Sequence, residues 1–251
     1  KGIAGTIAVA AGQKAMASIG GAVVYNNIGN GAADNQKQTV KAQLNYAAIT
    51  TASGASIKTK ATNEADFLGL ALGGSVRAGG EKFGVSAEGS VAVTTDYMNT
   101  IAGMKNVNID QSSGSQNSKV EVEANSTSDI TSSADALSVS VGDGIKISGN
   151  AAVSKVRSDA DTTTEIKNSI IKAQDVIAKA NSTNEILDVA IGLSAAVGGG
   201  SASVALAGNV ATNRIDNDTT VTFANDDIYA TGTVAALSDS YERLRNYGGA
   251  I

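Results

Sequence analysis

The chain has 251 residues with 28 Gly, no Pro, Cys, His or Trp, 4% aromatics and a formal net charge of −5. These absences exclude His-based acid–base catalysis, a Ser-His-Asp triad, thiol nucleophiles and His- or Cys-bound metal. With 24 Asp+Glu against 19 Lys+Arg, a nucleic-acid-binding surface is not expected, and the 42% of hydrophobic residues must build a core of Ala, Val, Ile and Leu, which suits a thin, stacked interior.

Strict alternation of apolar and polar residues predicts strands at Val91–Val93, Val120–Ala124, Leu137–Val141 and Ile145–Ile147. Residues 165–180 place Ile166, Ile170, Ala173 and Ile177 at helical spacing, yet they occupy a repeat position elsewhere filled by strand, so strand is the reading taken. Val189 to Asn213 carries no charge and is long enough for a membrane span, but the Gly198–Gly200 run and its serines favour buried strands joined by a glycine turn. Tyr241 to Tyr247 is polar and reads as a short helix or a long turn. Turns fall at Asn30-Gly31, Gly142-Asp-Gly144, Gly198–Gly200 and Asn225–Asp227, where Gly and Asn tolerate positive φ.

The chain repeats itself. Ala124-Asn-Ser-Thr127 returns as Ala180-Asn-Ser-Thr183, an offset of 56 that also carries Val120 onto Val176 and Ile130 onto Ile186. An offset of 63 carries Ile57 onto Val120 and Val76 onto Val139; one of 130 carries Ile7 onto Leu137 and Val9 onto Val139. Gly21, Asn26, Ile28 and Asn30 return at offset 187 as Gly208, Asn213, Ile215 and Asn217, with looser copies at Gly89–Val93 and Gly149–Val153. A fragmentary copy places Ala180 on Ala236 and Ser182 on Ser238. Such a repeat predicts a β-solenoid; three coils of about 19 residues per repeat give about 13 coils and a rod about 60 Å long. Residues 1–251 then form a single segment cut from a longer array.

The segments Gly21–Asn30 and Gly208–Asn217, alternating with Ala-Asn-Ser-Thr-x-[Asp/Glu]-Ile at Ala124–Ile130 and Ala180–Ile186, resemble the repeats of very large bacterial surface exoproteins. These are the fusobacterial leukotoxin and autotransporter adhesins, and more broadly filamentous-haemagglutinin-like proteins. The resemblance implies a right-handed parallel β-helix, export by a type V pathway, and an extracellular location on a Gram-negative surface. It also implies a host cell-surface or extracellular-matrix receptor, engaged through this segment or other parts of the parent.

Candidate sites are few. Asp159-Ala-Asp161, Asp216-Asn-Asp218 and Asn225-Asp226-Asp227 could offer oxygens to calcium, though solvated turns explain them better. Gly142-Asp-Gly144 opens no G-x-G-x-x-G dinucleotide loop and reads as a corner. Glu185-Ile-Leu-Asp-Val189 resembles an integrin-recognition pentapeptide; Glu185, Leu187 and Asp188 are the candidate receptor contacts, with Ile186, Asp188 and Ala190 on one strand face.

The expectation is an all-β, right-handed parallel β-helix, monomeric, not an enzyme, with no cofactor and no membrane span. Val120, Val122 and Ala124 should face the core, stacking on Val176, Ala178 and Ala180 three coils later. Val139 should face the core and Ser138 the solvent. The expected function is a rigid stalk presenting a receptor-binding region. The alternatives are a leukotoxin segment acting on leukocyte membranes, which an exposed apolar stripe would favour, and a trimeric autotransporter head.

Overall fold

The computed structural model describes residues 1–12, 16–31, 33, 36–51, 54–79, 82–111, 118–200 and 202–251. The described residues form 17 strands in chain order: β1 (Gly2–Gly12), β2 (Met16–Ile28), β3 (Gln38–Asn45), β4 (Ala48–Thr50), β5 (Ser56–Gly79), β6 (Phe83–Asp96), β7 (Met98–Lys105), β8 (Asn108–Asp110), β9 (Lys119–Val141), β10 (Ile145–Ser158), β11 (Asp161–Lys167), β12 (Ile170–Ala173), β13 (Asp175–Val197), β14 (Ser203–Ile215), β15 (Thr219–Ala224), β16 (Asp227–Ala230) and β17 (Val234–Ala250). Every fourth strand pairs in parallel. The long sheet is β1-β5-β9-β13-β17, and three shorter sheets oppose it: β2-β6-β10-β14, β3-β7-β11-β15 and β4-β8-β12-β16. This is a parallel β-helix in which each turn of the chain contributes four strands. Residues 165–180 are strand throughout their regular parts, and Tyr241–Tyr247 lies inside β17 rather than in a helix or turn.

The repeat is one coil, not three. Val120 pairs directly with Val176, and Ile57 with Val120, so the 56- and 63-residue offsets are the rises to the adjacent rung. The rod is therefore far shorter than the one the 19-residue coil implied. Five strands in the long sheet span about 19 Å along the axis at 4.8 Å per strand. The long dimension runs across the axis instead: the 23 residues of β9 extend about 76 Å at 3.3 Å each. Ile7 stacks below Leu137, and Gly21 below Gly208, through the intervening rungs, as the repeats require. Two looser assignments slip by two residues, an even number that keeps the face. Gly89 pairs with Ala151 rather than Gly149, and Ala180 with Ser238 rather than Ala236.

The flattened coil has a graded interior. At the end where the three short sheets turn back, Val120, Val122, Ile166, Ile171 and Val176 form the main apolar cluster. Phe67, Ile130, Val156 and Ile186 form a second cluster, and a third consists almost wholly of alanine, including Ala71, Ala92, Ala134 and Ala190. Shrinking side chains bring the sheets together toward the far tip, where the chain reverses at Gly142-Asp-Gly144 with φ of +142° and +82° at the two glycines. The opposite corner is built by stacked left-handed residues, Tyr46, Asn106, Asn168 and Asn225, with φ between 52° and 58°. Asparagine suits this conformation, and the Asn225 amide donates to Asn168 Oδ1 at 3.3 Å.

Beyond the alanine layer the interior is serine. Ser18, Ser75, Ser86, Ser138 and Ser148 alternate between the two sheets, and each hydroxyl donates to a backbone carbonyl of the facing strand at 2.8–3.0 Å. One serine side chain thus bridges the two backbones, and a Val there would not fit. Strand parity follows: β9 is unbroken from 119 to 141, so even-numbered residues face inward along its whole length. Val120, Val122 and Ala124 are buried as expected, but Ser138 and Ser140 are also inside, and Val139 is outside. The expected core position of Val139 is overturned.

Candidate functional site

The tip is inverted, with polar groups inside and apolar groups outside. Inside lie the serine ladder, Glu88, Arg77 and Lys146. Room for these large side chains comes from glycine across the gap. A Cβ on Gly73 would lie 1.8 Å from Glu88 Oε1, and one on Gly84 would lie 1.5 Å from an Arg77 guanidinium nitrogen. Arg77 also donates to the carbonyls of Gly79 and Phe83, and Lys146 to that of Asp143.

Outside, both broad faces of the tip are apolar. On the long sheet, Leu72, Leu137, Val141, Ile191, Leu193 and Val197 are exposed, and a shallow trough of about 280 Å³ runs between Ile7, Leu72, Leu137 and Leu193. On the opposing sheet, Ile19, Val23, Ile145, Val153, Leu206 and Val210 are exposed. The charge-free stretch from Val189 to Asn213 is therefore two strands and a glycine turn, as expected. Its large apolar side chains near the tip are not buried, however: Ile191, Val197, Leu206 and Val210 face outward at 39–64% exposure. Among the described residues, no helix is long and apolar enough to cross a membrane.

The acidic turns are occupied by the protein's own groups. Asp159 and Asp161 both close on Lys37 Nζ, which bonds Asp159 Oδ1 at 2.8 Å, so an ammonium takes the place a cation would have had. Burial opposes the charge on Lys37, but its hydrogen bonds to Asp159 and Asp161 outweigh this and raise its pKa. Asp216 pairs with Arg214 at 2.7 Å, Asn217 Oδ1 accepts from the Ala160 amide, and Asp226 accepts the amides of Ser169 and Ala224. Among the described residues, no three metal-ligating side chains converge. Next to the Lys37 cluster, Asp96 accepts a 2.7 Å bond from Ser128, but burial dominates and pushes its carboxyl up to about 6.

Glu185 and Leu187 face outward on β13, above Asp129 and Thr131 and below Arg243 and Arg245. Asp188 points the other way. It is fully buried with Ile186 and Ala190, and burial raises its pKa, only partly offset by the nearby Ser154 and Asn213. The three candidate contacts thus do not share a surface, and the carboxylate a receptor metal would need is inside the sheet.

The exposed apolar faces are the feature missed from sequence. The signal was available: Val120 and Val139 are 19 residues apart, an odd number, so both cannot face inward on one unbroken strand. No protein-family model, curated protein or solved structure matches the chain.

Proposed function

We propose that the chain is a rigid β-helical scaffold segment of a large exported surface protein, extending a receptor-binding region of that protein away from the cell. The observation that supports it is the in-register stacking of the repeats from β1 to β17, with the serine hydroxyls of the tip bonded to the facing backbone. Function is then mechanical: inter-strand hydrogen bonds and a stacked interior resist bending. The isolated chain should sediment as a 25.0 kDa monomer, which separates it from a trimeric head. It should show no nanomolar, protease-sensitive binding to host cells or matrix; such binding would overturn the scaffold reading and make outward-facing Glu185 and Leu187 the first positions to mutate. The exposed apolar stripe favours a second reading, a segment of a secreted toxin that acts on leukocyte membranes.

A further inference from the structure

We propose that the outer face of the tip on the sheet β2-β6-β10-β14 is a docking surface for an anionic lipid bilayer. The inference stands whichever of the two functional readings holds.

The outward positions of this face, read along each strand, carry no acidic residue. Toward the tip they are Val, Ile, Leu, Ala and Gly, with one Phe at the corner: Phe83 at the start of β6, Ile145, Ile147 and Val153 on β10, then Val204, Leu206 and Val210 on β14. Away from the tip, the nearest outward charges on these strands are all basic, while at the tip end the turn before Ile145 carries the exposed Asp143. Lys155 and Arg157 follow Val153 on β10, and Arg214 stacks on Arg157 in the next rung. Their carboxylate partners, Asp159 and Asp216, sit past the ends of the strands, in the turn. Tyr25 lies on the same cross-strand row as Lys155, two rungs away through Val93. An apolar field edged on one side by cations and a tyrosine matches the layering of a bilayer surface, where chains bury in the acyl boundary and basic groups meet anionic headgroups.

Size argues against a second copy of the chain. Four strands at 4.8 Å and nine residues at 3.3 Å give a field of about 570 Å², below the roughly 800 Å² per partner of a stable protein interface. The field also offers no aromatic anchor at its centre and no pocket to receive one, as protein hot spots require. Nor does the fold use these side chains. The interior beneath them is the serine ladder, so their apolar surface adds nothing to burial. A shallow, smooth hydrocarbon layer is the partner that fits.

Because the chain has no Trp, Leu206→Trp places a single fluorescent reporter at the centre of the field. Vesicles of phosphatidylcholine, with and without about a third phosphatidylserine, are the probes. The expected result is a blue shift of the reporter and flotation of the protein with the anionic vesicles only, weakened by added salt. Val153→Asp with Leu206→Asp should abolish flotation, and Lys155→Glu with Arg214→Glu should reduce it about tenfold. All four positions are exposed, and circular dichroism should show an unchanged fold. Three results would overturn the proposal: no flotation or blue shift with either vesicle, flotation of the Asp variant equal to that of the natural chain, or a blue shift without vesicles accompanied by a doubled mass. The last would assign the face to a second copy.

Discussion

At the scale of single residues, facing decides cost. Ser138 donates to the Ser86 carbonyl from inside the tip, and Val139 beside it lies on the outer surface. Ser138→Asp should therefore cost upwards of about 3 kcal/mol by burying an unpaired charge, whereas Val139→Asp should cost about 1 kcal/mol or less. Thermal melts of the two variants check the order, which is the reverse of what hydrophobicity alone suggests. Asp96 gives a pH dependence. Its carboxyl titrates near 6 in the folded chain against an ordinary value of 3.8, so folding is favoured in full below about pH 4 and the advantage is lost as pH rises through 6. The melting temperature should rise between pH 7 and pH 5, and Asp96→Asn should raise it at pH 7 by the equivalent of about 2–3 kcal/mol while flattening this rise. Glu123 acts in the opposite sense at lower pH. Burial raises its pKa, but the hydrogen bonds of Lys58 and Asn125 and the nearby lysines win and hold it at about 2. Its contribution is present above about pH 4.5 and fades as pH falls toward 2, so from these two groups stability should be greatest at about pH 4.

At the scale of elements, the interior is matched strand to strand. A long polar side chain on one sheet requires glycine on the other, as Arg77 does Gly84. Gly84→Ala should destabilise by about 1–3 kcal/mol, because the guanidinium in its way is held by Ser140 and two carbonyls. Arg77→Ser, which copies its rung neighbour Ser140, should remove most of that penalty in the double variant. Denaturant melts of the four-member cycle would show whether the two positions couple or add. The corner residues follow the same logic. Asn106, Asn168 and Asn225 share one left-handed position on successive rungs, and Asn is among the few non-glycine residues that adopt it readily.

At the scale of the whole molecule, the chain behaves as a stack of rungs, each held by its neighbours. The middle strand β9 pairs on both sides, while β1 and β17 each pair on one. Amide exchange should therefore be slowest in β9 and β10 and fastest in β1 and β17, with protection falling outward rung by rung. Uniform protection across all five strands of the long sheet would instead indicate a single all-or-none unit. The core grading adds a second gradient, across the coil. The end built on Ile166, Ile171 and Val120 rests on apolar burial, whereas the tip rests on hydroxyl-to-carbonyl bonds.

The sequence by itself determined the strand character of the alternating segments and the stacking register of most rungs, because identical residues recur where they stack and period-2 alternation survives along each strand. It also determined that the Gly142–Gly144 turn is a corner. Coil size was not legible, since an offset of 56 fits one large coil or three small ones equally well. Only the closed path of four strands separates these, and the separation depends on where the chain bends, at residues as unlike as Tyr46 and Asn106. The facing of the tip was likewise decided by tertiary structure. Hydrophobicity predicts Val139 inside and Ser138 outside, but when two backbones approach within one side chain of each other, only a small residue that can donate to the facing carbonyl fits the gap, and valine is left on the surface.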